Sequence, residues 1–245
     1  SREERPGADA GGATGPSPMI PPRQALRVVG DVHGDARGFA AALAGAPFVV
    51  QLGDLTDGEG DSAAVLRLAL DMLEAGRGLF LLGNHDHKLA RALAGRPVRR
   101  DAALAATLAA LSPALGMRAL AAFRAAPAWA WRAPYFFVHA AFHPAMCTQA
   151  PPPFSPHVHG LLGRALYGQT TGRLQPDGYP ERRHDWVDRI PAGLTVFCGH
   201  DNRSGNGQPL RLRGAAGGEV VFLDTGAGKG GHLSWIDLAE ARDAA

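Results

Sequence analysis

Cysteine, net charge and long apolar runs are all scarce in this sequence. It has 245 residues and a formal net charge of +2, and only two residues are cysteines, Cys147 and Cys198. Two cysteines so far apart suit neither a disulfide framework nor a thiolate zinc site, so we expect a protein of the reducing cytoplasm. The small net charge gives no reason to expect a nucleic-acid surface over the whole molecule. No apolar stretch reaches membrane-spanning length without a charge or a proline, which argues against a membrane protein.

Low apolar content sets the first residues apart from the rest of the chain. Residues 1–24 are rich in glycine, proline and charge and lack the apolar core of a signal peptide, so we expect a disordered tail. Residues 25–240 have the length and the hydrophobic content of one globular domain. Within that domain we expect two decorations, a helical segment over 101–126 and an irregular, proline- and histidine-rich loop over 143–160.

What the sequence does have is five short apolar runs that each lead directly into a polar residue. These runs are ALRVVG, PFVVQLG, GLFLLG, YFFVH and LTVFCGH. Each is typical of a buried strand, and the first three alternate with stretches of helical periodicity. This β-α-β-α-β order predicts a parallel sheet in an α/β (α+β) fold. Polar sites in such sheets gather beyond the carboxyl ends of the strands, which is where these polar residues lie.

The pattern also sets expectations for segments outside these runs. A helix is predicted over Lys88–Ala94, after the third run. The stretch 167–182 has three glycines and two prolines and is expected to be a loop. Two late strands, over 219–223 and 232–236, are expected to form a meander that closes the fold.

The polar residues after the five runs form the inventory of a two-metal hydrolase. Buried carboxylates and imidazoles need partners, and a cluster of them is usually held by metal ions. Asp31 and His33 alternate on an extended segment, so both can reach one metal, and Asp54 is the natural bridge to a second. Mixed oxygen and imidazole ligands favour Mn, Fe, Ni, Co or Zn over Ca. The expected metal ligands are Asp31, His33, Asp54, Asn84, His139 and His200.

Several side chains next to these ligands have roles that the sequence defines less sharply. His85 is adjacent to Asn84 and is the candidate general acid for the leaving oxygen, with Asp86 expected to orient its ring. Asp57 is expected to lie in a turn or behind the ligands. Asp224 follows a strand, and its role is open between a ligand and a residue behind the ligands. Any one of these histidines alone is more often structural, but five motifs in this order disfavour a purely structural explanation.

The motifs GDVHG, GDLTDG and GNHD, with His139 and Gly199-His200, resemble those of the calcineurin-like metallophosphoesterases. GNHDHKLARALAGRPV, LYGQTTG and FLDTGAGKGGHLSWIDL are similar to the phosphatase domain of bacterial polynucleotide kinase–phosphatases and to asymmetrical bis(5′-nucleosyl)-tetraphosphatases. The resemblance implies a β-sandwich flanked by helices, with two divalent ions, manganese first among them, at the strand ends. It also implies hydrolysis of phosphate esters or anhydrides of nucleotides or polynucleotide ends, by a hydroxide held between the ions. Nothing in the sequence gives reason to expect an obligatory protein partner.

Two departures from the family pattern bear on the substrate. The family's second motif usually reads Gly-Asp-x-x-Asp-Arg-Gly, whereas Gly58 here follows Asp57, so the arginine that clamps a phosphate is absent. An arginine fork stabilises a doubly charged terminal phosphate better than a diester, so its loss favours diesters or anhydrides as substrates. The candidate replacements are Arg91, Arg164 and Arg203. Asn202 stands where many relatives have a second histidine, so one metal is expected to have fewer protein ligands or to use Asp224.

Three other interpretations are left open by the same motifs. A protein serine/threonine phosphatase is one, although GNHD and LYGQTTG argue against it. An inactive nucleotide- or RNA-binding module is supported only by the missing arginine. A protein that binds nucleic-acid ends is permitted by the pairs Arg99-Arg100 and Arg182-Arg183, although such pairs more often lie on solvated faces.

Overall fold

Two β-sheets packed face to face form the centre of the molecule, and helices cover their outer faces. The computed structural model describes residues 19–241, which form eleven strands and six α-helices. The strands are β1 (Leu26–Val29), β2 (Phe48–Gln51), β3 (Gly78–Phe80), β4 (Trp129–Arg132), β5 (Tyr135–Val138), β6 (Gln169–Leu174), β7 (Pro180–Arg183), β8 (Thr195–Cys198), β9 (Leu210–Arg213), β10 (Glu219–Phe222) and β11 (Trp235–Leu238). The helices are α1 (Ala36–Leu43), α2 (Ser62–Glu74), α3 (Asn84–Leu93), α4 (Ala102–Ala110), α5 (Pro113–Ala125) and α6 (Gly160–Tyr167). The expected α/β (α+β) class with a helix-flanked sandwich is confirmed.

Each sheet has a parallel centre and an antiparallel strand at one or both edges. The first sheet has the order β11-β1-β2-β3, in which β1, β2 and β3 are parallel and β11 pairs antiparallel with β1. The second has the order β4-β5-β8-β10-β9, in which β5, β8 and β10 are parallel and both edge strands are antiparallel. Parallel strands end at a common edge of their sheet, so the residues after β1, β2 and β3 are neighbours, as are those after β5 and β8.

Burial on both faces explains why the central strands have continuous apolar runs. Between the sheets, Val28 and Val50 of the first sheet pack with Phe137, Phe197 and Val221 of the second. The alternate residues of the same strands point outward into a second core beneath the helices. Successive side chains of a strand point to opposite faces, so each strand contributes to both cores.

The two late strands do not form the expected meander, and that prediction is wrong. β10 pairs with β8 and β9 in the second sheet, whereas β11 crosses to the first sheet and pairs with β1. The glycine-rich segment 223–234 connects the two sheets, and its residue content gives no indication of which sheet the following strand joins. The sequence also gives little sign of β9, a short edge strand in which leucine and arginine alternate.

Residues 167–182, expected to be a loop, contain most of an exposed β-hairpin instead. β6 and β7 pair antiparallel, with Gln169 opposite Arg183 and Thr170 opposite Arg182. Neither strand has the apolar alternation that marks a strand in sequence, because nearly all of their residues are exposed or only half-buried. Main-chain pairing, which leaves little trace in residue type, therefore defines this hairpin.

Helix α3 begins at Asn84, earlier than the expected start at Lys88. Asp86 lies in its first turn, and its carboxylate accepts a hydrogen bond from the backbone amide of Gly83 at 2.8 Å. Such a bond satisfies an amide that has no partner within the helix. Asn84 and His85 therefore project from the first turn of a helix rather than from a flexible loop.

The residues immediately before β1 pack onto the sandwich. Ile20 is 2% exposed and lies in the core between the sheets, and the side chain of Arg132 donates hydrogen bonds to the carbonyls of Pro21 and Gln24. The tail expected over 1–24 is therefore wrong for residues 19–24. The rest of that tail lies outside the described residues.

The two predicted decorations differ in how much regular structure they contain. The segment 101–126 forms α4 and α5, which bury Leu104 and Phe123 in the core beneath the helices. The segment 143–160 is irregular apart from the 3-10 turn Pro144–Cys147 and its last residue, Gly160, where α6 begins. No single described helix is long and apolar enough to cross a membrane, and α4 and α5 meet that criterion only as a pair bent by 117°.

Replacing Phe197 by alanine should lower the free energy of unfolding by about 3–5 kcal/mol. Its ring is 1% exposed and stacks on Phe137 with centroids 5.8 Å apart, so truncation leaves a cavity between the sheets. Urea unfolding followed by circular dichroism measures the change. Met117→Ala, at a side chain that is 75% exposed, is the control and should stay within about 0.5 kcal/mol. Equal losses in the two variants would contradict this description of the core.

Candidate active site

Polar side chains from both sheets meet where the central strands end. The loop after β1 supplies two of them, and the loops after β2, β5 and β8 and the first turn of α3 supply one each. In chain order they are Asp31, His33, Asp54, Asn84, His139 and His200. These are the six residues expected from the sequence to be metal ligands, and the fold brings all six together.

One group of these side chains is arranged around His33. Its Nε2 lies 3.4 Å from Oδ2 of Asp31 and 3.6 Å from Oδ2 of Asp54. Its Nδ1 lies 2.8 Å from the carbonyl oxygen of Thr56, which can only accept a hydrogen bond. Nδ1 therefore carries a proton, and Nε2 is the atom directed at the two carboxylates.

A second group is arranged around His139 and shares Asp54 with the first. Nε2 of His139 lies 3.2 Å from Oδ2 of Asp54 and 3.0 Å from Oδ1 of Asn84. Nδ1 of His200 lies 3.1 Å from the same amide oxygen. Nδ1 of His139 faces the carbonyl of Leu52 at 2.8 Å, which again directs Nε2 toward the site.

The six residues Asp31, His33, Asp54, Asn84, His139 and His200, here called the donor set, together attract positive charge. Among the described residues, the ion-pair partners of Asp31 and Asp54 are all imidazoles, with no lysine or arginine. Burial opposes protonation of His139, but the charge and hydrogen bond of Asp54 outweigh it and raise the pKa of His139 to about 10. Burial also opposes protonation of His33, but the hydrogen bond that His33 donates to Asp31 and the charges of Asp54 and Asp31 outweigh it and raise the pKa of His33 to about 9. Carboxylate, amide and imidazole donors that attract cations this strongly fit divalent metal ions.

The ionisation of two further donors also suits a metal site. Burial and the neighbouring charges of His139 and Arg182 lower the pKa of His200 well below its usual value, so that this imidazole is neutral. Burial works against ionisation of Asp54, but the charges of His139 and His85 hold its pKa well below the usual range. The ligand atoms form two groups, each spanning no more than 4.8 Å, His33-Asp54-His85 and Asp54-His139-His200.

Asp86 does not have the role expected for it. Its carboxylate accepts hydrogen bonds from the backbone amides of Gly83 and Asp54 at 2.8 Å and of Leu55 at 3.0 Å, and it does not contact the ring of His85. Burial and the charge of Asp54 raise the pKa of Asp86 to about 6, although these three bonds oppose the rise. Asp86 therefore joins the loop after β2 to the start of α3, and the prediction that it orients His85 is wrong.

Asp57 is the residue that orients His85. Its Oδ2 lies 2.9 Å from Nδ1 of the His85 ring, and its Oδ1 accepts a hydrogen bond from the hydroxyl of Thr107 at 2.7 Å. The carboxylate thus holds the Nδ1 proton, which leaves Nε2 of His85 free of hydrogen bonds to described residues. Asp57 lies behind the donor set, as one of its two expected roles requires. Thr107 in α4 could not be identified from sequence, because nothing near it is polar.

The backbone at the site is held in an unusual conformation. Among the described residues, four that are not glycine have a positive φ, namely His33 (46°), Asp54 (60°), Asp57 (66°) and His200 (65°). Each such residue costs on the order of 1–3 kcal/mol, and such conformations concentrate at functional sites. Gly58 packs so closely on His33 that a Cβ atom there would overlap the His33 carbonyl oxygen. The missing arginine therefore has no room at position 58 with this backbone.

Asp224 and Asn202, which the sequence also relates to the metal ligands, lie in different surroundings. Asp224 is 8% exposed and accepts a hydrogen bond from the amide of Gly226 at 3.0 Å. Burial and the nearby charge of Asp31 raise the pKa of Asp224 to about 7, and it lies outside both groups of ligand atoms. Asn202 is exposed and its Oδ1 accepts a bond from the amide of Ser204 at 3.1 Å, so it does not take the place of a second histidine.

A cleft of about 210 Å³ opens above the donor set. The β6–β7 hairpin and the end of α6 form one wall with polar and aromatic side chains, and the glycine-rich loop before β11 contributes a lysine. The lining residues are His33, Asp54, Asn84, His85, Tyr167, Thr170, Tyr179, Pro180, Arg182, His200 and Lys229. The hairpin that looks like a loop in sequence is therefore part of the site.

The expected phosphate-binding arginines do not line this cleft. The guanidinium of Arg91 donates to the carbonyl of Pro97 at 2.9 Å, and that of Arg203 lies over the Phe222 ring at 5.2 Å. Arg164 is also absent from the lining residues. The prediction fails because side-chain direction, which the sequence does not give, decides which cations face the cleft.

Arg182 and Lys229 are the cations that do line the cleft. The sequence indicates Arg182 only as part of the pair Arg182-Arg183, and in the structure its guanidinium donates to Asp201 at 3.2 Å. His184 also contacts Asp201, so this carboxylate helps to fix the direction of Arg182. Lys229 stands out in the sequence because lysine is rare there, Lys88 being the chain's other lysine.

Comparison with known proteins is consistent with this geometry. A family model described as calcineurin-like phosphoesterase matches residues 26–213. The asymmetrical bis(5′-nucleosyl)-tetraphosphatase PrpE of Geobacillus thermodenitrificans is 26% identical over 88% of this chain and 91% of the relative. PrpE of Bacillus velezensis is 29% identical over 78% of this chain and 74% of the relative.

Solved structures share the fold at lower sequence identity. A putative diadenosine tetraphosphatase has a TM-score of 0.59 at 19% identity, covering 91% of this chain and 96% of that chain. A protein serine/threonine phosphatase from Saccharomyces cerevisiae has a TM-score of 0.57 at 14% identity, covering 91% of this chain and 82% of that chain. With most of its length matched by the family model, and with the motif residues assembled at the strand ends, the chain belongs to the calcineurin-like phosphoesterase family.

Proposed function

We propose that this hydrolase cleaves phosphoanhydride or phosphoester bonds of nucleotides or polynucleotide ends at a binuclear metal centre. The observation that carries the proposal is that Asp54 is common to both groups of ligand atoms. Two-metal hydrolases need one carboxylate that bridges the ions and further donors on each side. Asp54 is the only described residue that belongs to both groups.

The donors divide naturally between two ions. Asp31, His33 and Asp54 would hold the first, and Asp54 would share the second with three further donors, Asn84, His139 and His200. Divalent ions, when bound, polarise phosphate oxygens and lower the pKa of a water molecule that can attack phosphorus. Although His85 lies within reach of the first ion, we assign it to the substrate, because its side chain is 23% exposed on the cleft wall.

His85 is our candidate for the proton donor to the leaving oxygen. Asp57 accepts the Nδ1 proton, which fixes the ring and leaves Nε2 on the cleft side as the atom that can transfer a proton. Thr107 in turn fixes Asp57 through its hydroxyl. Across the cleft, the guanidinium of Arg182 is placed to neutralise negative charge on the phosphate oxygens.

Dinucleoside tetraphosphates are our first candidate substrates. The sequence relatives are named asymmetrical bis(5′-nucleosyl)-tetraphosphatases, and they match most of this chain. The cleft also has the features of a nucleotide site, with two cations for phosphates and the exposed rings of Tyr167 and Tyr179 for a base or ribose. The likeness to a protein phosphatase extends only to the fold, so it does not favour phosphoproteins.

We further infer manganese as the metal and the cytoplasm as the compartment. The oxygen and imidazole donors suit manganese, with nickel, iron, cobalt and zinc as the alternatives. Cys147 and Cys198 are both free thiols, which is consistent with a reducing compartment. Metal analysis of the protein purified without added metal would test the first inference.

Side-by-side hydrolysis of four substrates by the manganese-loaded protein tests the proposed function. They are a dinucleoside tetraphosphate, a 2′,3′-cyclic nucleotide, a simple phosphomonoester and a phosphoserine peptide, compared by kcat/KM. We expect the tetraphosphate to be preferred, because the cleft offers cations to several phosphates. Preference for the cyclic nucleotide would support polynucleotide ends instead. Preference for the peptide, or no turnover with metal bound, would contradict the proposal.

Asp54→Asn should remove both metal ions and abolish turnover, because the substitution removes the charge shared by the two groups. Asparagine tolerates the positive φ of this position, so the backbone should be retained. Inductively coupled plasma mass spectrometry after dialysis counts the ions, and circular dichroism checks the fold. Asp71→Asn, at a carboxylate that is 66% exposed, is the matched control. A folded Asp54→Asn protein with two ions and full turnover would overturn the binuclear centre.

His85→Asn should lower kcat for the tetraphosphate by about 10²–10⁴-fold and leave the metal content unchanged, because it removes a proton donor and not a ligand. A p-nitrophenyl ester leaves without needing a proton, so its kcat should fall much less. Asp57→Asn should show the same pattern at about 10–100-fold. Loss of metal from the His85→Asn protein would mean that His85 is a ligand.

A further inference from the structure

The proposed function counts Lys229 among the cations of the cleft but does not say which phosphate it binds. It lines the same cleft as His33 and Asp54, and the residue before it, Gly228, packs on the backbone of His33. Its side chain is exposed, and no described residue forms an ion pair with its ammonium group. An unpaired cation at the rim of a cleft floored by carboxylates is available to an anionic substrate.

The loop that carries Lys229 packs closely against the loop after β1. Gly226 and Gly228 both adopt positive φ, and the amides of Lys229 and Gly231 donate to the carbonyl of Gly226 at 3.0 and 2.9 Å. A Cβ atom at Gly228 would overlap the carbonyl oxygen of His33, so only glycine allows this approach. The loop therefore holds the backbone of Lys229 at a fixed place beside His33.

The same loop adjoins the position where the family arginine is missing. The amide of Glu59 donates to the carbonyl of Gly228 at 2.8 Å, which joins the residue after Gly58 to the residue before Lys229. Gly58 itself has no room for a side chain, since its Cβ would overlap the carbonyl of His33. A cation beside His33 can therefore come from the lysine loop but not from position 58.

The two cations of the cleft are attached beside different groups of ligand atoms. Lys229 follows Gly228, which packs on His33 of the first group of ligand atoms. Arg182 pairs with Asp201, the residue after His200 of the second group, at 3.2 Å. His33 and Asp54 are buried at the floor, whereas Lys229 is exposed at the rim. When a phosphate is held at the floor of the cleft, the part of the substrate that extends from it on the His33 side comes next to Lys229.

We propose that the ammonium group of Lys229 binds a non-reacting phosphate of a polyphosphate chain, next to the phosphate held at the metal site. This inference deepens the proposed function and rests on it for the location of the reacting phosphate. A lysine ammonium is a compact point charge, which suits the single charge of an internal phosphate. Lys229 is thus a specificity-determining residue that favours nucleoside polyphosphates over substrates with one phosphate.

Steady-state kinetics of Lys229→Met and Lys229→Arg test this specificity. The substrates are a dinucleoside tetraphosphate and bis(p-nitrophenyl) phosphate, a diester with one phosphate. Lys229→Met should raise KM for the tetraphosphate about tenfold, the effect of losing one charge-assisted hydrogen bond, and change kcat less than about twofold. The diester should be unaffected by either variant, and Lys229→Arg should keep KM near wild type. Equal KM values for the tetraphosphate in wild type and Lys229→Met would overturn the proposal.

The matched control is Lys88→Met, which removes the chain's other lysine. Lys88 pairs with Asp101 at 2.7 Å and does not line the cleft, so its KM values should equal those of wild type. A rise in KM in both variants would show a general effect of net charge and would count against Lys229. Thermal unfolding of each variant verifies that the fold is kept.

Chemical labelling gives a second readout that does not depend on turnover. An amine-reactive acetylating reagent should modify Lys229 and Lys88 in the metal-loaded protein, and peptide mass spectrometry reports each site. Inorganic triphosphate should protect Lys229 but not Lys88. If triphosphate protects Lys229 but the protein hydrolyses no nucleotide, the proposed function is refuted and the phosphate site at Lys229 stands. If the protein hydrolyses nucleotides but triphosphate does not protect Lys229, the proposal for Lys229 alone is refuted.

Discussion

The buried carboxylate of Asp54 is the interaction on which the rest of the site depends. It is 1% exposed, and one oxygen faces His33 and His139 while the other accepts the amide of His85 at 2.9 Å. An anion so far from water is stable only with charged or hydrogen-bonding partners on every side. Its partners come from the ends of β1, β3 and β5, so the need to satisfy one carboxylate holds loops from both sheets together.

That arrangement costs free energy that the scaffold must offset. The four non-glycine residues with positive φ among the described residues all belong to the site, and at about 1–3 kcal/mol each they are a substantial burden for one domain. The two apolar cores, one between the sheets and one beneath the helices, supply the opposing burial. Asp86 adds local support, because its three amide bonds hold the backbone beside Asp54 in place. The site is therefore pre-organised by the folded chain itself.

The sequence predicted the parts of this arrangement that follow from local pattern. Apolar runs located the central strands, and the residues after them gave all six members of the donor set. What it missed depends on distant pairing or on side-chain direction. The partner of His85 is Asp57 rather than the adjacent Asp86, because a residue in the first turn of a helix points away from its neighbour along the chain. The β6–β7 hairpin and the crossing of β11 are fixed by long-range pairing between strands, which residue type barely records.

These missed elements carry several of the side chains that line the cleft. The fold of this protein matches the structures of a putative diadenosine tetraphosphatase and a protein serine/threonine phosphatase almost equally well, with TM-scores of 0.59 and 0.57. The donor set sits on the shared sandwich and cannot by itself select a substrate. Arg182 and Tyr179, by contrast, come from the hairpin region, and Lys229 comes from the loop that crosses between the sheets. Under the proposed function, substrate choice would depend on these segments, where a change of one side chain alters the cleft without disturbing the cores beneath it.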